Sequence, residues 1–186
     1  MRTVRQWPVD TAAVAVVDGT GAVVGRHGPQ DRPFRLASRT PPGWRSTGDD
    51  RVEVGRPRRL RRGVHRADLA RFAAELQVPT LLAPQTLAEA TQTAYPGMDG
   101  ALPGYGMQRP NDWGLGFEEL RAHKSPHWTG SRNSPETFGH FGRSGTFLWV
   151  DPKAGAACVA LTDRDFDQWA KDAWPVFSDE VLAELA

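Results

Sequence analysis

With 186 residues, 39% of them apolar and including seven Trp and eight Phe, the chain is long enough for one domain with a buried core and too apolar for a disordered tail. A formal net charge of +1 gives no electrostatic reason to expect nucleic acid or an anionic membrane as a partner. The single cysteine, Cys158, excludes an internal disulfide framework, and its place in the run AACVALT marks a small buried hydrophobe rather than a nucleophile.

The chain begins MRTVRQWPVD, which turns polar at once, unlike a signal peptide, and no run nears the roughly 18 apolar residues of a membrane helix. A cytoplasmic location without membrane contact is therefore expected. Residues 12–17 and 22–26 flank Asp18-Gly19-Thr20-Gly21 and read as a β-hairpin. Asp31 to Ser38 continues as a loop approaching a helix. From Arg39 to Arg66 there are two consecutive prolines, many arginines and almost no apolar periodicity, the pattern of a solvated, disordered loop. The arginines from Arg56 to Arg66 have no interleaved aromatic platform, so single-stranded nucleic acid is not expected there.

Leu69, Phe72, Ala73 and Leu76 recur at helical spacing and predict a helix over 67–76. Residues 84–90 predict a second short helix with Pro84 in its first turn. Residues 94–111 are rich in Gly and Pro and read as a loop; 113–120 (WGLGFEEL) reads as a strand whose glycines allow close backbone approach. Gly139-His140-Phe141-Gly142 reads as a turn leading into a strand. Residues 147–150 and 156–161 are strands joined at Asp151-Pro152-Lys153-Ala154-Gly155. The tail from Asp165 to Leu185 carries the stripe of an amphipathic helix broken at Pro175.

The expected class is α+β, an antiparallel sheet with helices packed on it. Two strands alone are barely stable, so the N-terminal hairpin must find partners late in the chain. No metal or cofactor is expected. Asp112, Glu118, His123 and His127 invite a metal reading, but Lys124-Ser125-Pro126 opposes the helix that would align the two histidines, and there is no Cys pair or His-Glu-x-x-His. Neither a Walker loop nor a Gly-x-Gly-x-x-Gly after a strand supports a nucleotide.

Three stretches carry a family resemblance: Phe34-Arg35-Leu36-Ala37-Ser38, then Ala67-Asp68-Leu69-Ala70-Arg71-Phe72, then His140-Phe141-Gly142 followed by Arg143-Ser144-Gly145. Together the chain resembles the serine β-lactamase-like hydrolases, the group of class C β-lactamases, D-alanyl-D-alanine peptidases and related esterases. That resemblance implies a β-lactamase/transpeptidase-like core, amide or ester hydrolysis through an acyl-serine on Ser38, and substrate contacts from His140, Gly142 and Ser144. It implies a small-molecule amide or ester as substrate. The family's Ser-x-x-Lys lysine would fall at position 41, where this chain has Pro41, and neither Tyr95 nor Tyr105 sits in a Tyr-x-Asn. Most of the family's helical domain is also missing between Ser38 and Ala67. The implied enzyme is thus impaired, and the alternative is a non-catalytic remnant or interaction protein that retains the sheet and self-associates through an exposed apolar face.

On this reading the single domain divides into 1–38, a hairpin and nucleophile-approach segment; 39–66, an Arg/Pro-rich loop; and 67–186, helices, strands and C-terminal helix. Where the family usually carries Ser-Thr-Ala before its Asp-Leu-Ala-Arg-Phe helix, this chain has Val64-His65-Arg66. A one-base shift in GC-rich codons for Ser-Thr-Ala yields Val-His-Arg, so an out-of-frame origin of the Arg-rich segment is a stated hypothesis.

Overall fold

The computed structural model describes residues 1–36, 63–120 and 124–186. The two most apolar strands find each other across nearly the whole chain. β1 (Ala12–Asp18) runs antiparallel to β10 (Ala156–Thr162), in register from Ala12 opposite Thr162 to Asp18 opposite Ala156. β2 (Val23–His27) pairs with the outer side of β1, so the expected hairpin forms and gains its partner from the C-terminal end. With β7 (Glu118–Glu119), β8 (Phe138–Gly142) and β9 (Thr146–Asp151), the antiparallel sheet takes the order β2-β1-β10-β9-β8-β7.

Neither β1 nor β10 alternates between apolar and polar residues; β10 is buried at every position and β1 at all but Asp18. Both faces of the sheet are covered, and a strand covered on both faces has no solvent side on which to place polar residues. Ala13, Ala15, Val17, Val159 and Leu161 meet Ala70, Ala73 and Leu76 of α1 (Arg66–Gln77). Val14, Val16, Cys158 and Trp149 meet Trp174, Phe177 and Val181 of α3 (Gln168–Leu185). Burial raises the Cys158 thiol pKa well above its ordinary value, in keeping with a packing role.

Pro175 lies inside α3 without breaking it, against the sequence expectation. An interior proline costs a helix about 3 kcal/mol. Trp174, Phe177 and Val181 each recover roughly 1.5–3 kcal/mol by burial on one stripe, so the packed face outweighs the lost hydrogen bond. α3 also holds the N-terminus. Glu180 accepts hydrogen bonds from the Arg2 and Thr3 amides and the Thr3 hydroxyl, anchoring the 3-10 turn Thr3–Gln6. Burial alone would raise the Glu180 carboxyl, but these donors hold its pKa at about 2.

Elsewhere the local reading needs correction. Residues 113–120 are not one strand. Trp113 bridges back to Glu118, the Gly114 amide donates to Phe117 O at 2.8 Å, and the chain reverses through Gly116 at φ 137°. Glycine here reverses the chain rather than flattening it against a neighbour. The loop expected at 94–111 contains a small hairpin, β5 (Gly100–Leu102) and β6 (Gly106–Gln108), closed by the Tyr105 amide on Leu102 O. Three-residue strands give no period for a sequence to show. The second short helix is present as α2 (Pro84–Thr91).

Of the stretch read as a loop from Arg39 to Arg66, positions 39–62 lie outside the described residues, as do Ala37 and Ser38. Its end is ordered. β4 (Gly63–Val64) pairs with β3 (Phe34–Arg35), and α1 starts at Arg66 behind a His65–Asp68 capping box. The β3–β4 pair therefore clamps together the two ends from which residues 37–62 depart.

Candidate functional site

The motif strand is the first thing the fold redefines. Gly139-His140-Phe141-Gly142 is not a turn but most of β8, paired residue by residue with β9 from Phe138 opposite Val150 to Gly142 opposite Thr146. The turn comes next, where the Gly145 amide donates to Gly142 O and Gly145 takes φ 71°. Among the described residues only β7 lies beyond β8, and it reaches Gly139 and Phe138, so His140 to Gly142 lie on an edge.

Alternation along β8 then sorts its side chains. Phe141 packs with the α3 cluster, whereas Phe138 belongs to the α1 side, and His140 and Gly142 follow it there. Gly139 cannot be replaced without displacement, since an added Cβ would stand 2.3 Å from Leu148 O and 2.9 Å from the Trp128 ring. His140 is half-buried, with the Trp113 ring edge-on to it at 5.8 Å. Burial lowers its pKa below the ordinary histidine value, opposed in part by the charge of Glu118 and a backbone hydrogen bond at Phe141. That shift favours the neutral imidazole, which has one N–H donor and one acceptor nitrogen.

His140 and Gly142 border a groove of about 290 Å³ walled by Leu69 and Phe72 of α1, Phe117, Leu148 and Leu36. Phe72 and Phe117 stack at 6.5 Å, and Phe117 in turn meets Phe138 at 5.4 Å. Leu36 is the last described residue before the segment that contains Ser38. Ser38 itself lies outside the described residues.

Ser144 is not brought to this groove. It is buried, its hydroxyl lies 3.1 Å from the Thr146 hydroxyl, and it lines a separate polar depression of about 490 Å³ beside Arg32, Arg35, Asp163 and Asp165. Ion pairs fill that depression: Arg32 with Asp163 at 3.0 Å, Arg35 with Asp165 at 2.9 Å, and Arg143 with Asp165 at 3.6 Å. A serine committed to Thr146 among paired charges serves the β8–β9 turn.

One buried polar cluster behind β8 escaped the sequence reading. The Glu118 and Lys124 side chains are fully buried and 3.4 Å apart, and His127 is nearly so. Lys124 donates to Asp112 O at 2.7 Å, Trp128 Nε1 donates to Glu118 Oε2 at 2.8 Å, and His127 Nε2 lies 3.2 Å from Glu118 Oε1. Burial would raise the Glu118 carboxyl, but the His127 hydrogen bond, the neighbouring charges and the Trp128 donor bring its pKa below the usual value. Burial pulls the Lys124 pKa down despite its acidic neighbours. Glu118 and His127, weighed in the sequence as metal ligands, belong to this ion-pair cluster; His123 lies outside the described residues, and no cluster of three or more ligating His, Cys, Asp or Glu occurs among the described ones. Glu118 faces Gly139 across the β7–β8 ladder, so the cluster anchors the strand that supports the motif. The sequence signal was thin: one of only three lysines, set between two histidines.

Against known proteins, a family model described as Beta-lactamase matches residues 66–180. Among solved structures, a beta-lactamase from Mycobacterium bovis is 36% identical, with 99% of this chain and 98% of that chain covered and a TM-score of 0.83. Unliganded simvastatin synthase from Aspergillus terreus is 20% identical over 66% of this chain and 36% of its own, with a TM-score of 0.51. At that identity the likeness is one of fold, and this chain spans about a third of that enzyme's length. No curated protein matches the chain.

Proposed function

The chain belongs to the beta-lactamase family, and from that premise we propose that it is a serine hydrolase of amide or ester bonds working through an acyl-serine on Ser38, at reduced efficiency. The observation that carries this reading is the position of Leu36. Two residues before Ser38, it lines the same groove as His140 and Gly142. We therefore assign the acyl group of the proposed reaction to this groove.

In the proposed cycle the Ser38 hydroxyl oxygen attacks the substrate carbonyl carbon, the leaving alcohol or amine departs with a proton, and water then hydrolyses the acyl-serine. His140 and Gly142 border the bound acyl group. The Ser38 amide stabilises the developing oxyanion. Pro41 stands where the family's lysine would deprotonate the serine, and loss of general-base help costs about 10² to 10⁴ in rate. A cytoplasmic location and a small-molecule substrate complete the reading; no helix among the described residues is long and apolar enough to cross a membrane.

The M. bovis relative is covered over 98% of its length, so the short form recurs in a second chain. That recurrence counts against an out-of-frame origin confined to this one.

Intact-mass spectrometry after exposure to an activated ester and to a penicillin, beside Ser38→Ala, tests the proposal. An adduct on the native chain that is absent from the variant is the expected result. No adduct on a folded sample would replace it with a second reading, a non-catalytic interaction protein. Exposed Leu81, Tyr95, Met98 and Leu115 favour that second reading, and sedimentation to a dimer would support it.

A further inference from the structure

The groove beside His140 is notable for what its described walls leave out. Leu36, Leu69, Phe72, Phe117 and Leu148 form its sides and floor, and no Lys, Arg, Asp or Glu lines it. Thr146 also borders it, but its hydroxyl is within hydrogen-bond distance of Ser144. Among the described residues, that leaves the His140 imidazole as the one titratable group on the wall. Burial favours its neutral form, and the charge acting on it is that of Glu118, an anion. A carboxylate placed here would lose its hydration and meet no cation on the described walls.

From this lining we infer that the groove takes the uncharged apolar acyl portion of an ester and discriminates against ligands bearing a carboxylate beside it. The family resemblance implies only that His140 and Gly142 contact substrate; the walls around this histidine narrow that substrate to an uncharged one. This inference rests on the hydrolase reading for its biological meaning, but it is a statement about binding and stands or falls without turnover.

The size of the groove narrows the class further. About 290 Å³ holds on the order of ten water-sized groups at roughly 30 Å³ each, which fits a medium-length acyl chain or a single aryl ring. The stacked Phe72 and Phe117 pair offers flat apolar surface to either. Among the described walls, His140 then supplies the directional contact, an imidazole N–H for the acyl carbonyl.

Calorimetric titration of the full chain with 2-octanone and with octanoate separates the two preferences on one carbon skeleton. The ketone mimics the ester carbonyl without a leaving group. We expect 2-octanone to bind at least about tenfold more tightly than octanoate, and shortening to 2-hexanone to weaken binding by about fourfold per methylene removed. Phe72 is partly exposed, so Phe72→Glu should leave the fold intact, as circular dichroism would verify, and should abolish ketone binding while improving octanoate no more than modestly. Octanoate binding as tightly as the ketone, or no saturable ketone binding, would overturn the inference. The two readings fail separately. Ketone binding without an acyl adduct on Ser38 removes the hydrolase and keeps the apolar groove, whereas an adduct with a preference for octanoate does the reverse.

Discussion

The sheet has two halves built on opposite terms. β1, β9 and β10 have six or seven residues each, almost all buried, and helices close both faces, α1 with Ala70, Ala73 and Leu76 and α3 with Trp174 and Phe177. β7 and β8 have two and five residues, carry two glycines, and bury an acid with a lysine and a histidine behind them. The first half gains from area removed from water, a term that needs no particular geometry. The second depends on a few directed contacts, each expensive to break. The difference shows how one sheet can hold an accessible histidine on its edge: the stable half supports a half that by itself would not stay in place.

Substitutions in each half sharpen that contrast. The largest effect should come from Trp174→Ala, which removes a fully buried ring that packs against Phe141, Phe147, Phe166 and Trp169. A loss of about 3–5 kcal/mol is expected in a urea titration. A loss below about 1 kcal/mol would mean that α3 is not what closes this face.

Glu118→Gln tests the other half. It keeps the shape and an acceptor for Trp128 but strands buried Lys124 without its counter-charge, for an expected cost of about 3 kcal/mol. The loss should be confined to the edge, read as faster amide exchange in β7 and β8 than in β10 at equal temperature. Uniform acceleration across the sheet would abolish the division into halves. The pH dependence has a definite sign as well. The folded-state pKa of Glu118 is depressed, so its contribution is full above the ordinary carboxylate value and is lost as pH falls through the lower folded value.

The smallest effect is that of His140→Gln. The folded pKa of His140 lies below its ordinary value, so as pH drops through about 6.5 the unfolded chain takes up the proton first and stability falls. The variant should show a shallower decline in melting temperature between about pH 6.5 and 5. His27, also depressed by burial and neighbouring positive charges, keeps some slope in place. An unchanged slope would show that His140 is as hydrated as in the unfolded chain, which would also undercut the apolar groove.

The legible parts of this protein were those with a long apolar run or a short distinctive motif. The runs at 12–17 and 156–161 announced the two central strands, Leu69-x-x-Phe72-Ala73-x-x-Leu76 announced α1, and Phe34 to Ser38 with His140 to Gly142 pointed to the family. The misread parts were short or conflicted. Gly139 and Gly142 read as a turn, yet pairing with β9 draws them into a strand, where Gly139 is required because Leu148 O and Trp128 leave no space for a Cβ. Pro175 read as a break, yet the stripe around it is buried deeply enough to carry the helix through.

Local sequence thus determined the long central strands and the helices, because hydrophobic period and backbone propensity act over a few residues. It also determined the family, because a motif is a local string. Tertiary structure alone decided that Ser144 lines a different depression from His140, that Lys124 reaches Glu118, and that residues from positions 36, 69, 72, 117 and 140 share one groove. Those outcomes depend on burial and on charges brought together from distant positions, and the cost of an unpaired charge or an unfilled space exists only once the chain has closed around it.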